Sequence, residues 1–130
     1  MSVINRIGTL REVSEVAASA GGEFGFALKD FLDGFYTCPN AVDLADAPPL
    51  LADALPDGAR LDAYLGAVAE HLSREHRWPI PDWTREPSRF LTTPWFGMQS
   101  HGGRMILLEE SPTAFRIRNI FVSGNALSRA

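Results

Sequence analysis

The sequence predicts a mainly α fold: one compact helical domain with a long central helix, a Pro/Trp-rich irregular segment and an extended C-terminal tail. Three observations carry this. Apolar residues recur at three- and four-residue spacings in three separate segments, the period of a helix that buries one face. The β-prone run Ile120-Phe121-Val122 is short. The 130 residues are 45% apolar and 22% charged, enough for one real core and too apolar for wholesale disorder.

Taken in order, residues 1–22 form a short N-terminal helical segment and residues 23–130 the main helical domain. In the first, Ile7, Leu10, Val13 and Ala17 share a face, and Gly21-Gly22 ends the helix. A second helix from about Glu23 to Tyr36 aligns Phe24, Leu28, Phe31 and Phe35, with Leu32 beside them. The stretch from Cys38 to Pro56 reads as short turns separated by prolines, a wrapped connection. Asp57-Gly58 then opens the longest helix, with Leu61, Leu65, Val68 and Leu72 on one face, which Pro79 ends. At about 27 to 30 Å it is long enough to serve as a central strut.

All three tryptophans fall between Trp78 and Phe96, interleaved with Pro79, Pro81, Pro87 and Pro94. This segment cannot be one helix, because proline biases the preceding residue to extended backbone. Pro87 and Pro94 each start a short helix, the second capped by Thr93. A segment so poor in backbone pairing is held by its side chains, which predicts that Trp78, Trp83 and Trp95 latch it over the core. A partly exposed partner groove built on the same rings is the alternative. Beyond it, "HGGRMILLEESP" predicts a helix with Met105, Leu108 and Ile106 turned inward. The "PTAFRIRN" stretch starts a fresh turn, and Ile120-Phe121-Val122 belongs to an extended tail or a strand with no obvious pairing partner.

Charge divides unevenly. Residues 1–62 hold ten acids against four bases, and residues 63–130 hold six against eight. Asp30, Asp33, Asp43 and Asp46 lead the acidic excess, which reads either as solvation and helix capping or as a face for a basic protein partner. A sequence pI near 5.3 excludes a generic nucleic-acid binder, which needs a basic stripe. No apolar run approaches a membrane span and the N-terminus has no signal-peptide core, so the expected location is the cytoplasm. The lone Cys38 fits a reducing compartment.

Chemical motifs are sparse. His71 and Glu75, within the charged run from Glu70 to Arg77, are one helical turn apart and read either as two ligands of a metal site, with His101 as a conceivable third, or as part of a solvated helix face with an intrahelical charge network around Arg74. His71 and His76 diverge by roughly 140° on a regular helix and do not share a site. Neither Gly21-Gly22 nor Gly102-Gly103 completes a phosphate-binding motif, and no serine sits in a nucleophile elbow. No cofactor and no resident metal are expected, and the catalytic residues of any reaction are unassigned.

The runs "FLDGFY", "LADAPPLL", "LDAYLGAVAEHLSREH", "PIPDWTREPSRFLTTPWF" and "ESPTAFRIRNIFV" resemble a family of small, mostly uncharacterised bacterial helical proteins, over about four fifths of the chain. The resemblance implies an antitoxin-like or regulatory role beside a nucleotidyltransferase-like toxin protein. Residues 1–22 are too short for the helix-turn-helix that relatives carry, so no direct contact with nucleic acid is expected. The resulting expectation is a non-enzymatic protein-interaction module, with a homo-oligomer left open. The alternative is a small-molecule- or metal-binding domain or enzyme using His71, Glu75 and His101.

Overall fold

The computed structural model describes residues 7–19 and 21–128. Residues 1–6, 20 and 129–130, which belong to the expected N-terminal helical segment and C-terminal tail, lie outside the described residues. Helix dominates the rest, as the spacings predict.

Helix α1 (Leu10–Ala18) starts in a capping box. The Thr9 hydroxyl accepts from the Glu12 N–H at 3.1 Å, and the Glu12 carboxylate accepts from the Thr9 N–H at 3.1 Å. Its buried face, Leu10, Val13 and Ala17, packs on α2 (Phe24–Thr37). The Glu23 carboxylate caps α2 by accepting from the N–H groups of Gly25 and Phe26. Leu28, Phe31 and Phe35 of the α2 stripe are buried as expected, with the two phenyl rings stacked 5.6 Å apart, and Phe24 is half-buried. A 3₁₀ turn, Ala41–Leu44, opens the wrapped connection.

Helix α3 (Gly58–His76) is the strut, but it is buried on nearly every side. Asp62, Glu70 and Ser73 are enclosed together with Leu61, Leu65, Val68 and Leu72. Pro79 does not end it. The N–H groups of Arg77 and Trp78 donate to the carbonyls of Arg74 and Ser73, and Arg77 takes the left-handed backbone (φ 57°) that closes this motif. Two 3₁₀ turns follow, Asp82–Arg85 and Pro87–Arg89, and both lie along α3.

The helix expected from Thr93 is absent. The stretch from Pro94 to Gln99 is long enough for a turn, but its backbone pairs with the C-terminal run instead. Strand β1 (Trp95–Phe96) lies parallel to β2 (Ile120–Phe121), so the C-terminal run does have a pairing partner. The N–H groups of Trp95 and Gly97 donate to Asn119 and Phe121 carbonyls at 2.8 and 2.9 Å. Helix α4 (His101–Glu110) and the single turn α5 (Thr113–Arg116) connect the two strands. The main core gathers Leu10, Phe31, Leu65, Leu72, Phe115 and Ile120, and a smaller cluster holds Ala17, Leu51 and Leu61. No described helix is long and apolar enough to cross a membrane.

Candidate functional site

The tryptophans hold the Pro-rich segment on the body. Trp83 is 7% exposed; its indole N–H donates to the Leu44 carbonyl at 3.0 Å, and the Arg89 guanidinium lies 4.7 Å from the ring centre. Trp78 stacks on His76 at 4.5 Å and meets Phe35 edge-on, while half-buried Trp95 carries the Arg60 guanidinium at 4.6 Å. The outer side of this latch is concave. Ile80, Pro81 and Trp83 form the floor of an open hollow of about 660 Å³, and Asp46 and Asp82, both exposed, stand in its lining. One acid from the N-terminal half and one tryptophan from the Pro-rich segment thus meet in one place.

The other acids have different surroundings. An Asp30 oxygen accepts from the Ile7 N–H at 2.8 Å, tying the entry to α1 onto α2. Asp33 is half-buried on α2. Asp43 is half-buried in the 3₁₀ turn, where burial, with the Glu12 charge adding to it, pushes its carboxyl up. Of the four acids, Asp46 is exposed, and Asp30, Asp33 and Asp43 are half-buried.

His71 and Glu75 do come together, Nε2 to Oε2 at 3.5 Å. With Tyr36, Asn125, Leu127 and Ser128 they line a cleft of about 530 Å³, roofed by the C-terminal tail through a hydrogen bond from the Tyr36 hydroxyl to the Leu127 carbonyl at 2.9 Å. His101 begins α4 and does not line this cleft. Among the described residues no group of three or more His, Cys, Asp or Glu side chains is placed to hold a metal ion.

A polar cluster lies buried inside the molecule, against α3. Arg118 donates to Glu70 at 2.9 Å and to the carbonyls of Ala114 and Thr84 at 2.8 and 2.7 Å, with its guanidinium 4.6 Å from the centre of the Phe90 ring. Arg89 donates to the Pro48 carbonyl at 2.6 Å and lies 3.9 Å from the Asp62 carboxylate, which accepts from the N–H groups of Leu51 and Ala52. Burial favours the neutral form of Glu70, but hydrogen bonds from Arg118 and Arg74, with their charges, outweigh it and hold the carboxyl below the usual range. At Asp62 burial wins over the two backbone hydrogen bonds and Arg89, and the carboxyl is pushed up. Burial lowers both guanidinium values against the pull of these acids. Nothing in the sequence reading assigns Glu70, Arg89 or Arg118 to the interior. The signal was there in Asp62, Gly66 and Glu70, four residues apart, which put two acids and a gap on one side of an otherwise apolar helix.

No family model, no curated protein and no solved structure matches this chain.

Proposed function

We propose that the chain is a non-enzymatic protein-interaction module that takes a basic segment of a partner protein into the hollow between Asp46 and Asp82. The supporting observation is the hollow itself: an apolar floor of Ile80, Pro81 and Trp83 with two exposed carboxylates and no basic residue in its lining. An apolar concavity with a few charges fixes orientation and sign of the occupant. The rim charges steer and select a Lys or Arg side chain, while the floor covers its aliphatic stem. The family resemblance supplies the partner for this reading, a nucleotidyltransferase-like protein toward which the chain acts as an antitoxin-like or regulatory subunit.

Co-purification of the tagged chain from its native cell tests this, with three forms compared. Asp46→Lys/Asp82→Lys is expected to melt within about 2 °C of the wild type, since both residues are exposed, and to lose the partner. Trp83→Ala is expected to lose about 3 to 5 kcal/mol of stability, the range for emptying a buried aromatic site. A charge-reversed chain that keeps its partner overturns the proposal.

The cleft at Tyr36, His71 and Glu75 supports a second reading, small-molecule binding, because its 530 Å³ lies in the range of ligand sites and its lining mixes imidazole, carboxylate and amide groups with Leu127. A compound library screened by thermal shift, in which no hit is lost on His71→Ala, would remove it.

A further inference from the structure

Helix α4 is turned the opposite way from its sequence expectation. Gly103 and Leu107 face the body, and Leu107 is 2% exposed. Met105 and Leu108, expected inside, are 53% and 39% exposed, and Ile106 is 50% exposed. The anchors at both ends fix this rotation. The Ser100 hydroxyl accepts from the Gly103 N–H at 3.0 Å, and a side chain at Gly103 would meet Met98 Sδ at 2.8 Å. At the other end the Ser111 hydroxyl donates to the Leu107 carbonyl at 2.6 Å and accepts from the Val122 N–H at 3.0 Å, pinning the helix to the segment after β2. His101, Met105 and Leu108 then point away from the body, about 120° to 180° around the helix from the Gly103–Leu107 side.

Their spacing is four and then three, which is the seam of a coiled coil. With Met105 at position a and Leu108 at d, His101 occupies the preceding d, Arg104 is g and Glu109 is e. The two flanks of the seam therefore carry opposite charges. In a parallel pair of identical helices, g of one faces e of the other five residues on, so Arg104 meets Glu109 twice by symmetry. An antiparallel pair sets like flanks together, Arg104 against Arg104 and Glu109 against Glu109, and repels. Among the described residues the Glu109 carboxylate has no hydrogen-bond or ion-pair partner, and Arg104 has an exposed contact to Gln99 at 3.2 Å and a position 5.3 Å from the Phe96 ring centre.

We propose that α4 is a self-association helix: a second copy of this chain lays its own α4 in parallel on the Met105–Leu108 seam, with Arg104 of each copy facing Glu109 of the other. Such a twofold contact uses the same patch on both copies, so it closes at the dimer. It uses neither the Asp46–Asp82 hollow nor the His71 cleft. Ten residues span about 15 Å, only one and a half heptads. The dimer is therefore weak.

Sedimentation equilibrium from about 5 to about 500 μM, with circular dichroism to confirm folding, tests the pairing in four forms of the chain. The wild type is expected to associate to a dimer. Arg104→Glu and Glu109→Arg, each of which sets like charges across the seam, are expected to weaken association about tenfold or more, and the double exchange Arg104→Glu/Glu109→Arg to restore it. In a Cys38→Ser background, Met105→Cys is expected to give a disulfide-linked dimer under mild oxidation, since position a lies beside its own copy across a parallel seam. A wild type that stays monomeric throughout the range, or a double exchange that does not regain the dimer, overturns the proposal.

Discussion

Glu70 is the residue on which the interior charge balance turns. Its carboxylate is enclosed with Arg118 at 2.9 Å and is also gripped from the surface by Arg74 at 2.7 Å. Removing one member of a buried ion pair leaves the other charge uncompensated, so Glu70→Gln is expected to destabilise by about 3 kcal/mol or more at neutral pH. Its pH dependence has a definite sign. The folded carboxyl titrates below its unfolded value of about 4.3, so its contribution is complete above that pH and disappears as pH falls through the folded value. Asp62 behaves oppositely: its raised value favours the folded state below about 3.9 and loses that effect as pH rises through the folded value. Comparing wild type with Glu70→Gln cancels Asp62. The difference between their urea midpoints should therefore shrink as pH falls below about 4, and a difference that holds constant down to pH about 2 would contradict this account. At this scale the tryptophan latch was legible, because a proline-broken segment has only its side chains to hold it. The arginines were not, because a single sequence does not distinguish an Arg in "PSRFL" or "RIRN" that lies on the surface from one whose neighbours supply carbonyls and a carboxylate.

Among the elements, α3 was found in full and α4 was found with the wrong face inward. The difference is physical. Leu61, Leu65, Val68 and Leu72 in α3 outnumber any competing stripe, whereas α4 offers two: Gly103–Leu107 and Met105–Leu108. Hydrophobicity favours the second, but the caps at Ser100 and Ser111 and the fit of Gly103 under Met98 select the first. Close approach also decides at Gly66 in α3. A Cβ there would lie 3.0 Å from Arg89 Cβ and 3.1 Å from Arg118 Nε, so the position is where both arginine side chains cross the helix. Gly66→Ala gains up to about 1 kcal/mol in helix propensity. It also requires both side chains to give by a few tenths of an ångström against their hydrogen bonds, and overpacking of this kind costs about 1 to 3 kcal/mol. The net expectation is a lower melting temperature, read by calorimetry; an unchanged or higher one would show that the arginines can shift freely. The parallel β1–β2 pair escaped the sequence because two residues per strand carry no period, and their partner is set by where α4 and α5 return the chain.

Over the whole molecule, the interior is closed by its last third. The acids Asp62 and Glu70 lie in the middle of the chain, while the cations that face them, Arg89 and Arg118, come 27 and 48 positions later. A chain ending at residue 111 lacks α5, β2 and Arg118 and is expected to show no cooperative thermal transition by circular dichroism; a cooperative one would mean that the core closes without Arg118. This order has a consequence during synthesis. When α3 has left the ribosome, its carboxylates have no cations to meet, so helices α1 to α3 remain a loose hydrated assembly until the codons for Arg89 and Arg118 have been read and their products have emerged. Completion of the fold is thereby tied to the emergence of Arg118, and a product terminated before it stays open to proteolysis.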